Sequence, residues 1–223
     1  MQSLWFFDNV NLFKVLCPHK VKIYVNEHNF CSYKKKDYIY IEADAANKVY
    51  LIAHGKVKIG YYSEDGNEIV KAILTKGELF GEKAILGDDK RDEFAQSVDN
   101  ETSICPISVD TMHGLMRDNQ NFSFKVYKFI GLKFKKLERR LQLLLFKDTK
   151  TRLIEFLDEL CIDFGHDCEK TGDHVINHPY TQKDIASLIG TSRPTINILL
   201  NELKEENYLD FNRNEIRILK KSA

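Results

Sequence analysis

The stretch that decides the reading is Tyr180-Thr181-Gln182-Lys183-Asp184-Ile185-Ala186-Ser187-Leu188-Ile189-Gly190-Thr191-Ser192-Arg193-Pro194-Thr195-Ile196-Asn197-Ile198-Leu199-Leu200-Asn201-Glu202-Leu203. Thr181 stands where a hydroxyl caps a helix, and Asp184 follows three residues on, in capping-box register. Ile185, Leu188 and Ile189 recur at helical spacing, so a short helix is predicted over 182–189. Ala186 is small, as two closely crossing helices require. Gly190 ends the helix, because glycine takes positive φ with no Cβ to clash. Thr191 or Ser192 caps a second helix, predicted over 193–206, with Pro194 in its first turn, where a missing N–H costs nothing. Ile196, Leu199, Leu200 and Leu203 point inward, which leaves Arg193, Asn197 and Asn201 in a line on the outer face.

On the C-terminal side, Asn207 to Phe211 and Glu215 to Leu219 form a closing hairpin. Two capped helices with a tight glycine turn and a following hairpin make a winged helix-turn-helix, a DNA-reading motif whose second helix lies in the major groove. An arginine at the N-terminal end of that helix donates bidentately to guanine O6 and N7, so Arg193 is the expected base reader. Asn197 is placed to read adenine or hold a phosphate, and Thr181, Ser192, Thr195 and the helix N-terminal amides suit phosphates. The expected DNA-contacting set is Thr181, Gln182, Lys183, Ser192, Arg193, Thr195, Asn197, Ile198 and Asn201. On the N-terminal side, residues 149–164 read as a helix with Leu153, Ile154, Phe156, Leu157 and Leu160 inward, followed by a polar, solvated loop from Gly165 to Pro179.

Further upstream the period changes. Between about Met112 and Phe146 the sequence reads as one long helix, in which Tyr127, Ile130, Phe134, Leu137, Leu141 and Leu144 recur at alternating steps of three and four. That is a coiled-coil seam, and it predicts pairing with the same helix of a second copy. Lys133, Lys135, Lys136, Glu138, Arg139 and Arg140 occupy the other faces.

Before it, from about Val21 to Ser108, runs such as Lys22-Ile23-Tyr24-Val25, Asp37 to Ile41, Lys48 to Ala53 and Lys56 to Tyr62 are short and rich in β-branched and aromatic residues. Turn residues punctuate them, and Asp65-Gly66 between two runs signals a hairpin. The predicted fold is α+β: an N-terminal antiparallel β-barrel or jelly roll, a long dimerisation helix and a C-terminal winged helix-turn-helix. The corresponding domains are 1–111, 112–147 and 148–223.

Bulk composition is compatible with this. In 223 residues Lys+Arg equals Asp+Glu at 33 each, so no global basic surplus marks a non-specific nucleic-acid coat, while a specific reader needs positive charge on one face alone. Met1-Gln2-Ser3-Leu4-Trp5 is no signal peptide, and the longest apolar runs are too short for a membrane span, so a cytoplasmic location is expected. Cys17, Cys31, Cys105, Cys161 and Cys168 include no CxxC pair and read as reduced thiols.

Barrel, long helix and winged helix-turn-helix, in that order, resemble the CRP/FNR family of bacterial transcription regulators. The most specific pieces are Gly77-Glu78-Leu79-Phe80-Gly81-Glu82, Arg91-Asp92-Glu93-Phe94-Ala95-Gln96-Ser97, Phe146-Lys147-Asp148 and Ile189-Gly190-Thr191-Ser192-Arg193-Pro194-Thr195. The resemblance implies an effector-sensing barrel, a homodimer, a hinge after the long helix and a palindromic promoter site. It places the effector pocket at Gly81, Glu82, Arg91, Asp92, Glu93, Leu137 and Glu138.

In cAMP-binding members an Arg and a Ser hold the cyclic phosphate about ten residues after the Gly-Glu pair. Counting from Glu82, those positions are Asp92 and Glu93, whose charges repel a phosphate, and Arg91 is one position early, facing the other way along a strand. Leu137 and Glu138 stand where such members carry a polar pair that reads adenine. The expected effector is therefore not cAMP. In the recognition helix, Pro194 and Ile198 replace a Glu and a second Arg of the family's best-known readers. Arg193 carries over, and an operator that differs around its guanine is expected.

No iron–sulfur, haem or zinc site is expected. Cys17 and Cys31 make no four-cysteine cluster, His28, His54 and His113 read as surface or turn histidines, and His166, Cys168, His174 and His178 lack four-ligand spacing. The expected partners are double-stranded DNA, a second copy of the chain, RNA polymerase and a small-molecule effector, with no membrane partner and no cofactor. A contrasting reading, a small-molecule-binding jelly roll or cupin-like metal enzyme, lacks an HxH pair in the barrel, and no enzymatic activity is expected.

Overall fold

The structure, a computed structural model, describes residues 30–168, 172–213 and 215–219. The predicted strand Lys22-Ile23-Tyr24-Val25, Cys17 and His28 lie outside the described residues. The chain divides into two compact units, 1–130 and 131–223.

In the first unit eight strands follow one another: β1 (Cys31–Tyr33), β2 (Tyr38–Tyr40), β3 (Lys48–His54), β4 (Val57–Tyr62), β5 (Glu68–Leu74), β6 (Leu79–Phe80), β7 (Phe94–Ser97) and β8 (Thr102–Ser108). They pair antiparallel as two four-stranded sheets, β1-β8-β3-β6 and β2-β7-β4-β5, the jelly-roll form of the expectation. Alternation along the strands decides which side chains meet. Ile52, Phe80 and Ile104 of the first sheet pack with Tyr40, Val57, Ile59, Leu74 and Ala95 of the second. The intervening residues Val49, Leu51, Cys105 and Ile107 form a separate cluster with the helices that follow.

Those helices are α1 (Val109–Asp118) and α2 (Gln120–Phe146). The single helix expected from Met112 is thus broken at Asn119, whose backbone is extended. The physical reason is local. The Asn119 N–H donates to Leu115 O, closing α1, and its side-chain oxygen accepts from Phe122 N at 3.0 Å, opening α2. Met112, Leu115, Phe122 and Val126 then bury against the sheet.

The second unit holds the C-terminal part of α2, then α3 (Thr149–Phe164), β9 (Gly165–Asp167), β10 (His174–Asn177), α4 (Gln182–Ile189), α5 (Arg193–Glu205), β11 (Leu209–Phe211) and β12 (Glu215–Ile218). The last four strands form one antiparallel sheet, β11-β12-β10-β9. The loop expected over 165–179 is therefore wrong: it contains a hairpin, because Val175 and Ile176 find a buried face beside Ile216 that the local sequence does not announce. Leu153, Leu157, Leu160, Ile185, Ile196, Leu200, Leu203 and Leu209 complete this core. At its edge Tyr180 meets Phe156 and Phe164 edge-on and stacks with buried His178, at ring separations of 5.8, 6.1 and 6.4 Å.

Two stability predictions follow from this packing. Gly60 stands at a register shift of the β4–β5 pair, where a Cβ would lie 2.5 Å from Ile69 O and 2.7 Å from the buried Phe94 ring. Gly60→Ala should therefore cost about 1–3 kcal/mol, read as a lower urea midpoint. Burial holds the His178 imidazole below its ordinary value of 6.5. The stability of its neutral form is present above that ordinary value and is lost as pH falls through it, by at most about 1.4 kcal/mol per pH unit for one proton. Asp158, Glu159 and Asp163, raised by burial, run the opposite way, gaining as pH falls. Urea midpoints between pH 7.5 and 5.5 should fall for the native chain relative to His178→Phe; parallel profiles would contradict this account.

Candidate nucleic-acid interface and effector pocket

The first helix of the reading motif starts where expected. Thr181 Oγ1 accepts from Asp184 N at 3.2 Å, and Asp184 returns the contact by accepting from Thr181 N at 2.8 Å. Gly190 closes α4 at φ 69°, the left-handed region. The turn needs glycine for its backbone; a Cβ there would sit 2.6 Å from Leu144 Cδ2, the end of an exposed side chain that can turn aside. Ser192, one of the two expected caps, caps α5 with its Oγ, and Pro194 lies in the first turn.

Ile196, Leu200 and Leu203 bury the inner face of α5, and Leu199 is half-buried. Arg193, Pro194, Asn197, Ile198 and Asn201 are exposed on the other side. The Arg193 guanidinium makes no ion pair or hydrogen bond with the described residues. Asn201 Nδ2 donates to Asn197 O at 2.8 Å, which folds that amide back along the helix. Thr181, Lys183 and Ser192 are exposed, while Gln182 and Thr195 are half-buried; the Thr195 hydroxyl bonds Ser192 at 2.8 Å. Behind the helix, Lys204 pairs with Asp210 of the wing at 2.7 Å and lies over the Phe211 ring.

Sequence reasoning missed the residues that hold this motif to the end of α2. Arg152 donates to Lys147 O at 3.0 Å and to Gly190 O at 3.2 Å, tying the hinge to the turn between the reading helices. No sequence signal points to it, since its partners are main-chain carbonyls that every residue carries. Asp148 caps α3 by accepting from Thr151 N at 2.8 Å. Arg139 of α2 pairs with Glu155 of α3. The adjacent Glu159 and Asp163 are raised by burial, an effect that Arg140 and Lys136 oppose.

The sheet pocket differs from expectation. Gly81 caps a short 3-10 turn that starts at Glu82. Arg91, however, is buried and turned towards that turn: its Nη1 donates to Gly81 O at 3.0 Å and its Nη2 to Lys48 O. The guanidinium carbon lies 4.5 Å from the Tyr40 ring and 5.6 Å from that of Tyr50. Glu93 is buried too, bonded by Tyr40 Oη at 3.1 Å and Lys71 Nζ at 2.5 Å. Burial, then the Glu93 carboxylate, pushes the Tyr40 phenol far up, so it stays a donor. Asp92 is the outward residue, paired with Lys83. Just ahead of β7, Arg91 and Glu93 thus lie inside and Asp92 outside, where counting from Glu82 had paired the two carboxylates and turned Arg91 away.

Along α2 the side chains of Tyr127, Phe134, Leu137 and Leu141 are 56–65% exposed, and Glu138 is exposed beside them. Ile130 packs instead against the helix-side cluster of the first unit, and Leu144 lies at Gly190. Among the described residues no three His, Cys, Asp or Glu side chains converge as a metal site, and no helix is long and apolar enough to cross a membrane.

Comparison with known proteins agrees with this architecture. The cyclic nucleotide-binding domain family matches residues 30–119, and the Crp-like helix-turn-helix domain family matches residues 151–223. The Global nitrogen regulator of Nostoc sp. is 27% identical over 192 residues, covering 85% of this chain and 84% of its own. The CRP-like cAMP-activated global transcriptional regulator of Mycobacterium tuberculosis is 26% identical over 171 residues, covering 77% of this chain and 75% of its own. Among solved structures, a variant of CooA from Carboxydothermus hydrogenoformans superposes with a TM-score of 0.77 at 25% identity, over 96% of this chain and 93% of that one. FixK2 from Bradyrhizobium japonicum, at 20% identity and a TM-score of 0.72 over 86% and 92% of the two chains, shares the fold. The chain belongs to the CRP/FNR family of bacterial transcription regulators.

Proposed function

We propose that this regulator works as a homodimer that reads a palindromic promoter site through α5, under the control of an effector other than cAMP. The observation that carries the DNA reading is the line Arg193, Asn197, Asn201 on the exposed face of a helix whose capped N-terminus aims outward. Arg193 takes the guanine, and Asn197 the base or phosphate beside it. Thr181, Gln182, Lys183, Ser192 and Thr195 gather around the two helix N-termini, where backbone amides favour phosphates.

A second copy of the chain is the proposed occupant of the α2 seam. Tyr127, Phe134, Leu137 and Leu141 repeat at coiled-coil steps and remain more than half exposed, which a helix in water does not sustain without a partner. Two copies on a two-fold axis present two α5 helices to half-sites about one helical turn apart. Residues 1–111, 112–147 and 148–223 divide the work between sensing, pairing and reading. The protein acts by binding, in the cytoplasm, with RNA polymerase as a downstream partner.

The case against cAMP rests on the pocket. Arg91 already commits Nη1 to Gly81 O and Nη2 to Lys48 O, and the buried Glu93 carboxylate beside Tyr40 disfavours a phosphate. In the sequence, Leu137 and Glu138 replace the polar pair that the family resemblance expects to read adenine. The relative named cAMP-activated is the reason this ligand must be tested directly.

The full chain should sediment as a dimer and shift a selected palindrome in gels, with binding that weakens steeply with salt. Phe134→Glu with Leu141→Glu should give monomers of much lower affinity, and Arg193→Ala should cost about 1–3 kcal/mol on that site. Specific affinity untouched by Arg193→Ala would refute the assignment of α5. Saturating cAMP should leave the melting temperature unchanged, whereas a ligand at a hundred times its dissociation constant adds about 2.7 kcal/mol; a clear upward shift refutes the exclusion.

A further inference from the structure

The outer face of α5 carries an apolar ridge that neither the caps nor the core explains. Ile198 is 58% exposed, and Pro194, one turn earlier on the same side, is exposed as well. At about 100° per residue these two lie near the centre of the solvent face, opposite buried Ile196, Leu200 and Leu203. Among the described residues from 149 to 219, the exposed large apolar side chains are Ile162 and Ile198 alone. One of them therefore stands on the helix that the DNA reading places in the groove, alongside the line of Arg193, Asn197 and Asn201.

The chemistry of this face is selective. Pro194 and Ile198 offer no donor and no acceptor, so they cannot replace hydrogen bonds to a base edge. Asn201 spends a donor on Asn197 O, which weakens it as a bidentate reader of adenine. In the major groove the one apolar group presented by the bases is the C5-methyl of thymine. We infer that Ile198, with Pro194 beside it, is a specificity determinant that reads a thymine methyl close to the guanine taken by Arg193. This rests on the proposed DNA reading and deepens it by naming the second base of the operator. Cytosine presents N4–H where thymine presents O4, and the ridge pairs with neither, so the preference rests on the methyl contact.

The test uses the full chain and the operator recovered from random double-stranded DNA. Each thymine near the guanine that Arg193→Ala ceases to require is replaced by deoxyuridine, which removes the methyl and keeps the pairing. One such thymine per half-site should lose about fourfold in affinity, the worth of one buried methyl, and replacement in both half-sites about fifteenfold. In Ile198→Ala, whose changed side chain is at the surface, the thymine and uracil operators should bind alike. If every uracil replacement near that guanine binds as tightly as thymine, or Ile198→Ala keeps the full thymine preference, the inference fails while the DNA reading stands. If no sequence is enriched from random DNA, the DNA reading fails and takes the inference with it.

Discussion

The left-handed turn at Gly190 is the constraint on which the output end of this regulator depends. The angle between α4 and α5 is set there, three residues before Arg193. Leu144 lies against that position, and the carbonyl is held by Arg152, which also grips Lys147 at the end of α2. One glycine thus joins three things: the reading helix, the hinge and the last turns of the long helix. Glycine is needed here because the turn takes positive φ, which a Cβ disfavours. The capping box at Thr181 and the Ser192 cap then fix the helices on both sides of the turn, so the exposed face of α5 is presented as one rigid surface.

The sheet unit solves a different problem. It buries a guanidinium and a carboxylate, which desolvation makes expensive unless every charge finds a partner. Arg91 meets two main-chain carbonyls and the faces of two tyrosine rings; Glu93 meets a phenol and a lysine. These contacts make the pocket a packed polar cluster in its own right. The contrast with α5 is physical. There the polar groups are exposed and, for Arg193, without partners among the described residues, the state expected of groups whose partner is another molecule.

Much of the reading end was legible in the chain because its determinants are local. Thr181 and Asp184 are three residues apart, Ser192 caps its own helix, Gly190 acts on its own φ, and the spacing of Ile185, Ile189, Ile196, Leu200 and Leu203 fixes which face is buried. The strands β2, β3 and β4 were legible for the same reason, as short β-branched and aromatic runs between turns. The errors came where a local pattern was ambiguous. Asn119 lies in a polar stretch that continues a helix as readily as it caps two, and Val175-Ile176 is too short a run to declare a strand without its partner β12.

The sequence by itself determined the architecture: two layers of short strands, a long helix with an apolar seam, and a capped helix pair whose outer face begins with Arg193. Only the tertiary structure decided that Arg91 and Glu93 turn inward and Asp92 outward, that Arg152 clamps Gly190, and that Ile130 is drawn off the seam onto the cluster of its own unit. The reason is range. Caps and periodicity act within one or two turns of chain, whereas Arg91 and Glu93, ahead of β7, take their orientation from partners tens of residues away, Lys48 and Tyr40.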